Sequence, residues 1–317
     1  MRYVITTRLA LKHKVPLTPE LIKSWTDKDD EWIVAKFPTH YQPCWCVSWG
    51  GPGQKEHCLT TETGFWWDAM HFDTHGLYEL SSFNKPEAYD AFMQYRAPRS
   101  AQDVIFNSGM HPTKYRQKGE SVRWDGVVLA AQRPGDRSVK TIRDDADFWI
   151  FLEGACKAYG KHLFIKLHPG NKGKELQRIQ EIARDHGVRA EYVNHSVLDH
   201  CKFCVLFCST FSVDCFLREI PVVQWAPGYF YKSGAVTYAN GEFPDAPHDT
   251  SYAAQKLVDF LVWRYCINAT QPAYRWKEFF EHCARAQELF PVTEEFCYAN
   301  NLNWSKKRRR QRVKAAV

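Results

Sequence analysis

From Gly126 to Ala226, apolar runs alternate with helical periodicity, and few folds accept that pattern. GVVLAAQ (126–132), KHLFIKLHP (161–169), VRAEYV (188–193), CKFCVLFCS (201–209) and PVVQWA (221–226) read as strands. DDADFWIFLEGACKAYG (144–160), KGKELQRIQEIARDHG (172–187) and SVDCFLREI (212–220) read as helices between them. The helix over 172–187 places apolar residues at 176, 179, 182 and 183, one face of a 3.6-residue period. Near-continuous apolar strands joined by helices imply a parallel sheet covered on both faces, a doubly wound α/β fold. Ligands of such sheets bind beyond the carboxyl ends of the strands. The residues just after each strand are therefore where chemistry is expected.

The first half is less regular. MRYVITT (1–7) reads as a strand, and CWCVSWGGPGQK (44–55) as a strand running into a Gly/Pro turn. Residues 18–36 mix helix and strand signals, and CLTTETGFWWDAMHFD (58–73) is strand-like and rich in aromatics. NKPEAYDAFMQYR (84–96) reads as a helix opened by Pro86. The polar stretch 97–123, with Pro98, Gly109, Pro112 and Gly119, reads as the connection between domains, and 252–268 and 274–289 read as helices. A chain of 317 residues suffices for two domains. The expected limits are 1–120, 121–265, and 266–317 for C-terminal helices and a basic tail.

An apolar fraction of 44% and an aromatic fraction of 15% exclude a disordered chain. The net charge of +6 is concentrated in Lys306, Lys307, Arg308, Arg309, Arg310 and Arg312, so the body is close to neutral. The tail has three readings: contact with nucleic acid, contact with anionic lipid, or a solvated terminus. Residues 1–20 carry charges throughout and lack the apolar core of a leader peptide, and no window approaches the ~18 apolar residues that span a bilayer. Eleven cysteines, an odd number, then read as reduced thiols of a cytoplasmic protein. Cys201, Cys204 and Cys208 follow His200, but their alternation with Phe203, Val205, Leu206 and Phe207 reads as a buried strand rather than a zinc set. No metal site is expected.

Four segments carry candidate chemistry. In IKLHPG (165–170), His168 ends a strand, and Pro169 and Gly170 turn the chain into a helix whose free N–H groups suit an anion. His168 there either donates to a phosphate and protonates its departure, or is a strand-end histidine satisfied by backbone. CSTFSVDCFLRE (208–219) offers Ser209, Thr210 and Ser212 at a second such turn, either for phosphate or as ordinary caps. AQRPGDRSV (131–139) puts Asp136 in a Pro/Gly loop, as a base, a covalent nucleophile or a turn former. TETGF (61–65) puts Glu62 before a glycine among aromatics, as a desolvated acid/base or a loop glutamate.

The ordered set resembles the retaining Kdo (3-deoxy-D-manno-octulosonate) transferases of bacterial capsule synthesis and the wider capsule-polysaccharide glycosyltransferase group. Gln132, Asp136 and Ser138 keep that family's Gln-x-x-x-Asp-x-Ser spacing, and Lys166, His168 and Pro169 its Lys-Pro-His-Pro. Ser209, Asp214, Leu217 and Arg218 fall on Ser-x-x-Gly-Phe-Glu-Ala-Leu, and Phe230, Tyr231, Gly234 and Thr237 on a later Phe-Tyr and Gly-Leu-Thr. Glu62, Gly64 and Phe65 match Glu-Asp-Gly-Phe. Trp49-Gly50-Gly51 copies the Gly-Trp-Gly turn loosely, Leu167 replaces a proline, and Asp214 replaces a glutamate. The likeness covers roughly residues 45–240.

The resemblance implies a GT-B-like α/β protein. It would have two Rossmann-like domains, an acceptor-side domain at 1–120 and a nucleotide-sugar domain at 121–265, with the site in the interdomain cleft. It implies Asp136 as nucleophile, Glu62 as acid/base, and His168 and Ser209 on the donor phosphate. Gln132, Ser138, Lys166, Pro169, Thr210 and Asp214 would complete the donor site. The co-substrate would be a CMP- or UDP-linked sugar, with no other cofactor, and the acceptor a glycan. Two alternatives stay open: a phage-type glycosyltransferase that modifies DNA bases, and a non-catalytic nucleotide- or glycan-binding protein. Glu62, Asp136 and His168 occurring together argue against the last.

Overall fold

The computed structural model describes residues 2–6, 31–35, 45–49, 58–66, 69–107, 119–136, 138–139, 145–268, 271, 273–286 and 288–301. Two compact units divide the chain: residues 1–82 with 97–110 and 259–317, and residues 83–96 with 111–258.

The first unit is built on a six-stranded sheet. β1 (Arg2–Thr6), β2 (Glu31–Ala35), β3 (Trp45–Trp49) and β4 (Cys58–Thr63) run parallel in the order β4-β3-β1-β2. β5 (Ala69–Asp73) then pairs antiparallel with β4. The reversal depends on Gly64, whose N–H donates to the Ala69 carbonyl at 2.8 Å. A Cβ on Gly64 would lie 2.7 Å from the Ala69 Cβ and 2.9 Å from its carbonyl carbon, so no larger residue fits. Phe72 carries β5 into the core, with its ring 4.9–5.7 Å from Trp276, Phe279 and Phe280 of the late helix Ala273–Ala286. Asp73 is fully buried and holds the following loop. It accepts from the N–H groups of His75, Gly76 and Ser82 and from the hydroxyls of Ser82 and Tyr265.

Two parts of this unit depart from the sequence reading. The stretch 97–123, read as the connection between domains, does contain a boundary between the two units, at 110/111, and it also contains a helix at Ala101–Asn107 that buries Ala101, Val104 and Ile105. Its first N–H is capped by Oδ1 of Asp259 at 2.6 Å, a partner 158 residues away that no local pattern announces. The expected helix over 252–268 stops early. The α-helix covers Ser251–Phe260, a single π-type turn follows at Leu261–Tyr265, and Cys266–Asn268 is a strand. That strand, β12 in chain order, pairs antiparallel with β5 and is wholly buried. Sheet pairing outweighs helical periodicity there.

The second unit holds the parallel sheet read from the sequence. Its strands are β6 (Val127–Ala130), β7 (Leu163–Lys166), β8 (Arg189–Glu191), β9 (Phe203–Leu206), β10 (Val222–Gln224) and β11 (Thr237–Tyr238). The order is β8-β7-β6-β9-β10-β11, with every pair parallel. Counted along the chain within this sheet, that is 3-2-1-4-5-6, the doubly wound order of dinucleotide-binding folds. One face packs Leu129, Ile165 and Val205 against Phe148, Phe151 and Leu152 of the helix Asp145–Tyr159 and Ile179 of the helix Gly173–Asp185. The short helix Ser212–Phe216 follows β9. It ends sooner than the sequence suggested, because Glu219 takes a left-handed conformation (φ 58°) and turns the chain into β10. Among the described residues no helix is long and apolar enough to cross a membrane.

Candidate functional site

In a sheet of this order the winding direction reverses between β6 and β9, and the carboxyl ends of those two strands part to leave a crevice. One side chain ties the two ends together. Gln132, buried just past β6, accepts the Cys208 N–H through Oε1 at 2.9 Å. Its Nε2 lies 3.5 Å from both the Ser138 hydroxyl and the Cys208 sulfur. The Cys208 sulfur in turn sits 3.8 Å from the Ser138 carbonyl. The loop between Gln132 and Ser138 is thus anchored at both ends while Asp136, in its middle, is exposed. Asp136 stands on a turn closed by its own N–H to the Arg133 carbonyl at 2.9 Å and by Val139 N–H to its carbonyl at 3.1 Å.

The turn after β7 is fixed by Asn171, which is 1% exposed. Its Oδ1 accepts the His168 N–H at 2.7 Å, and its Nδ2 donates to the Gln132 carbonyl at 3.2 Å and to Glu175. The Tyr192 hydroxyl donates to its carbonyl. Asn171 thus ties the turn after β7 to the segment after β6. His168 is half-buried, and its Nδ1 accepts the Gly170 N–H at 2.9 Å. An accepting Nδ1 places the ring proton on Nε2, which makes that nitrogen the donor side. Pro169 is half-buried between them. A side chain at Gly170 would meet Arg133 Cδ at 2.8 Å and His168 Nδ1 at 3.1 Å, so the glycine lets the arginine cross beside the histidine.

After β9, Ser209 and Thr210 are half-buried. The Ser209 hydroxyl accepts the Phe211 N–H at 3.1 Å, and the Thr210 carbonyl accepts the Val213 N–H at 3.0 Å. Both serve the start of the short helix. Asp214 lies below this turn, almost wholly buried. Its Oδ1 is 3.2 Å from Nδ1 of His195, a residue the motifs did not mark. Lys166, at the end of β7, is buried as well, and its ammonium donates to the Val193 carbonyl at 2.6 Å. Burial lowers the Lys166 pKa to about 8, with the Asp214 charge opposing the shift. Burial also lowers that of His195, against the pull of the adjacent Asp214 carboxylate.

Of the residues marked from sequence, Gln132, Asp136, Ser138, Lys166, His168, Pro169, Ser209, Thr210 and Asp214 lie at the carboxyl edge of this one sheet. Glu62 belongs to the other unit, half-buried on β4 opposite His71. Phe65 of the same segment stacks on His71, with ring centroids 4.9 Å apart. Asn171 and His195 escaped the sequence reading. The first is one residue past the His-Pro-Gly turn and looks like a turn former. The second sits in Asn194-His195-Ser196, where the Asn194 side chain caps the short 3-10 turn His195–Leu198. Cys201, Cys204 and Cys208 are all buried free thiols, and among the described residues no three His, Cys, Asp or Glu side chains are grouped to hold a metal ion.

The fold is similar to that of a solved Kdo transferase. It matches the β-Kdo 2,7 transferase of Thermosulfurimonas dismutans KpsC with a TM-score of 0.50 and 12% identity, over 84% of this chain and 92% of that one. The β-Kdo 2,4 transferase of the same KpsC aligns over 80% of this chain and 90% of its own, at 16% identity and a TM-score of 0.48. A UDP co-structure of Staphylococcus aureus MnaA aligns over 93% and 92%, at 9% identity and a TM-score of 0.31. No protein-family model and no curated protein sequence matches the chain.

Proposed function

We propose that the chain is a glycosyltransferase that moves a Kdo-like sugar from a CMP- or UDP-activated donor onto a glycan acceptor. The observation that carries this reading is the convergence of Asp136, His168 and Ser209 on the carboxyl ends of β6, β7 and β9, at the reversal of a 3-2-1-4-5-6 sheet. In this reading the two units are the halves of a GT-B transferase, the first on the acceptor side and the second on the donor side. Asp136 attacks the anomeric carbon. The bond to the donor phosphate breaks, and a glycosyl ester forms as the nucleotide leaves. His168 supplies Nε2–H to the departing phosphate, and Ser209 and Thr210 hold its oxygens. Glu62 then takes the proton of an acceptor hydroxyl, whose oxygen displaces Asp136 from the anomeric carbon. Two displacements return the original anomeric configuration, and neither requires a metal or a second cofactor.

The test is nucleotide release from a panel of CMP-, UDP- and GDP-sugars, with and without oligosaccharide acceptors. Release from one donor class, stimulated by an acceptor, is expected. Absence of both release and binding across the panel sinks the transferase reading.

A further inference from the structure

The second unit buries three ionisable side chains that take no step in the proposed chemistry, two of them, Lys166 and Asp214, expected at the donor site. Lys166, His195 and Asp214 are each 9% exposed or less. Burying such groups is costly, and an apolar replacement of similar size is often as stable, so three together at a site edge call for a function. They come from three neighbouring chain segments. Lys166 ends β7, His195 opens the turn that follows β8, and Asp214 lies in the first turn of the helix after β9. The contacts join those segments. The Lys166 ammonium bonds to the Val193 carbonyl at 2.6 Å and lies 5.9 Å from the centre of the Phe211 ring. The His195 ring meets Phe211 edge-on at 5.0 Å and Asp214 at 3.2 Å. Phe211 and Asp214 bracket the end of the Ser209–Ser212 turn.

We propose that Lys166, His195 and Asp214 form a buried positioning unit that fixes the Ser209–Ser212 turn, with His195 as the residue that orients the Asp214 carboxylate. The unit deepens the donor reading above, because this turn is where that reading seats the phosphate. Its charge balance is set by the groups that face it. Asp214 and Cys204 approach Lys166, and Asp214, Lys166 and Arg218 act on His195. Arg218 also donates to the Asp214 carbonyl at 3.0 Å. At neutral pH the Lys166 ammonium is charged and His195 is neutral, with its Nδ1 3.2 Å from the Asp214 carboxylate. Above about 8 Lys166 loses its proton, and the carboxylate loses its counter-charge.

The test compares full-length wild type with His195→Ala, His195→Asn and Lys166→Met, after thermal unfolding shows that each is folded. Amide hydrogen exchange reads the turn directly, because the N–H groups of Phe211, Val213 and Cys215 are all bonded within it. His195→Ala is expected to lower their protection by about tenfold. His195→Asn is expected to restore it, since a carboxamide can present an N–H to Asp214 from the same position. Affinity for free CMP and UDP, measured by calorimetry, is the second readout. It is expected to fall in wild type as pH rises through about 8, and to lose that fall in Lys166→Met. Unchanged protection in His195→Ala, or wild-type affinity that is flat from about pH 7 to 9.5, overturns the positioning unit. If exchange responds as expected but wild type binds no nucleotide, the unit stands and the donor reading fails.

Discussion

The side-chain carbonyl of Gln132 accepts the backbone N–H of Cys208 at 2.9 Å, 76 residues away along the chain. This bond spans the reversal point of the sheet, just past the end of β9. Replacing Gln132 with alanine leaves that N–H buried and unmet, and frees the Ser138 end of the Asp136 loop. The expected cost is about 1–3 kcal/mol of stability, the range for an orphaned buried donor. Chemical denaturation measures it. A loss below ~0.5 kcal/mol would mean that water or a neighbour replaces the glutamine.

Asp136 is exposed, and asparagine keeps its size and shape while removing its charge. Asp136→Asn is therefore expected to unfold like wild type, within ±0.5 kcal/mol. If it is the nucleophile, transfer stops while nucleotide affinity persists. Turnover near the wild-type rate would remove it from the mechanism.

Gly119 is held at φ +85°, and a Cβ there would lie 1.8 Å from the Tyr192 carbonyl oxygen. The next residue, Glu120, bridges to Val193, whose carbonyl receives Lys166. Gly119→Ala combines a disfavoured backbone with a backbone clash, so a loss above ~3 kcal/mol is expected. It should fall on the second unit, read as hydrogen exchange concentrated around β7, β8 and residues 192–195. Wild-type protection there would contradict the geometry.

Much of the second unit was legible because its signal is local. Apolar runs of four to six residues between amphipathic helices admit few alternatives, and the residues after each strand follow from the fold rule. What was missed depends on distant partners. The helix Ala101–Asn107 is capped by Asp259, and Cys266–Asn268 is a strand only because β5 offers an edge. Asn171 and His195 were hidden for a related reason. Their types are ordinary in turns, and only burial beside Gln132 and Asp214 sets them apart. Glu62 was found from its motif, and the geometry adds why Gly64 must follow, since Ala69 leaves no room for a side chain.

Lys166 gives a pH signature in stability as well as in binding. Its folded pKa of about 8 lies below the usual lysine value of 10.5, so between these limits the unfolded chain binds more protons than the folded one. Stability from this group therefore rises with pH across that window. Buried thiols such as Cys201, whose pKa is raised by burial, act in the opposite direction above about 9. The comparison that isolates the lysine is wild type against Lys166→Met at pH 7 and pH 10. Wild type should gain about 2–3 kcal/mol relative to the variant as pH rises. A constant difference would mean that Lys166 keeps an ordinary pKa.

The basic run at 306–312 lies outside the described residues, after the last short turn at Ala299–Asn301. Six of its seven residues are Lys or Arg, and so dense a run repels itself and gains nothing from folding inward. Near an anionic surface each residue contributes ~1 kcal/mol, and Trp304 just before the run suits the interface of a bilayer. The tail is thus expected to dock the chain on such a surface, near the acceptor of the proposed reaction, without entering the chemistry. Deleting residues 305–317 should leave donor hydrolysis unchanged. It should also abolish a steeply salt-dependent attachment to vesicles containing anionic lipid, measured by sedimentation at low and physiological salt. Duplex DNA serves as the second surface, where counterion release gives a similar salt slope. Stronger attachment to DNA than to vesicles would move the acceptor toward nucleic acid, and equal binding by the deleted chain on both surfaces would make the tail a solvated end.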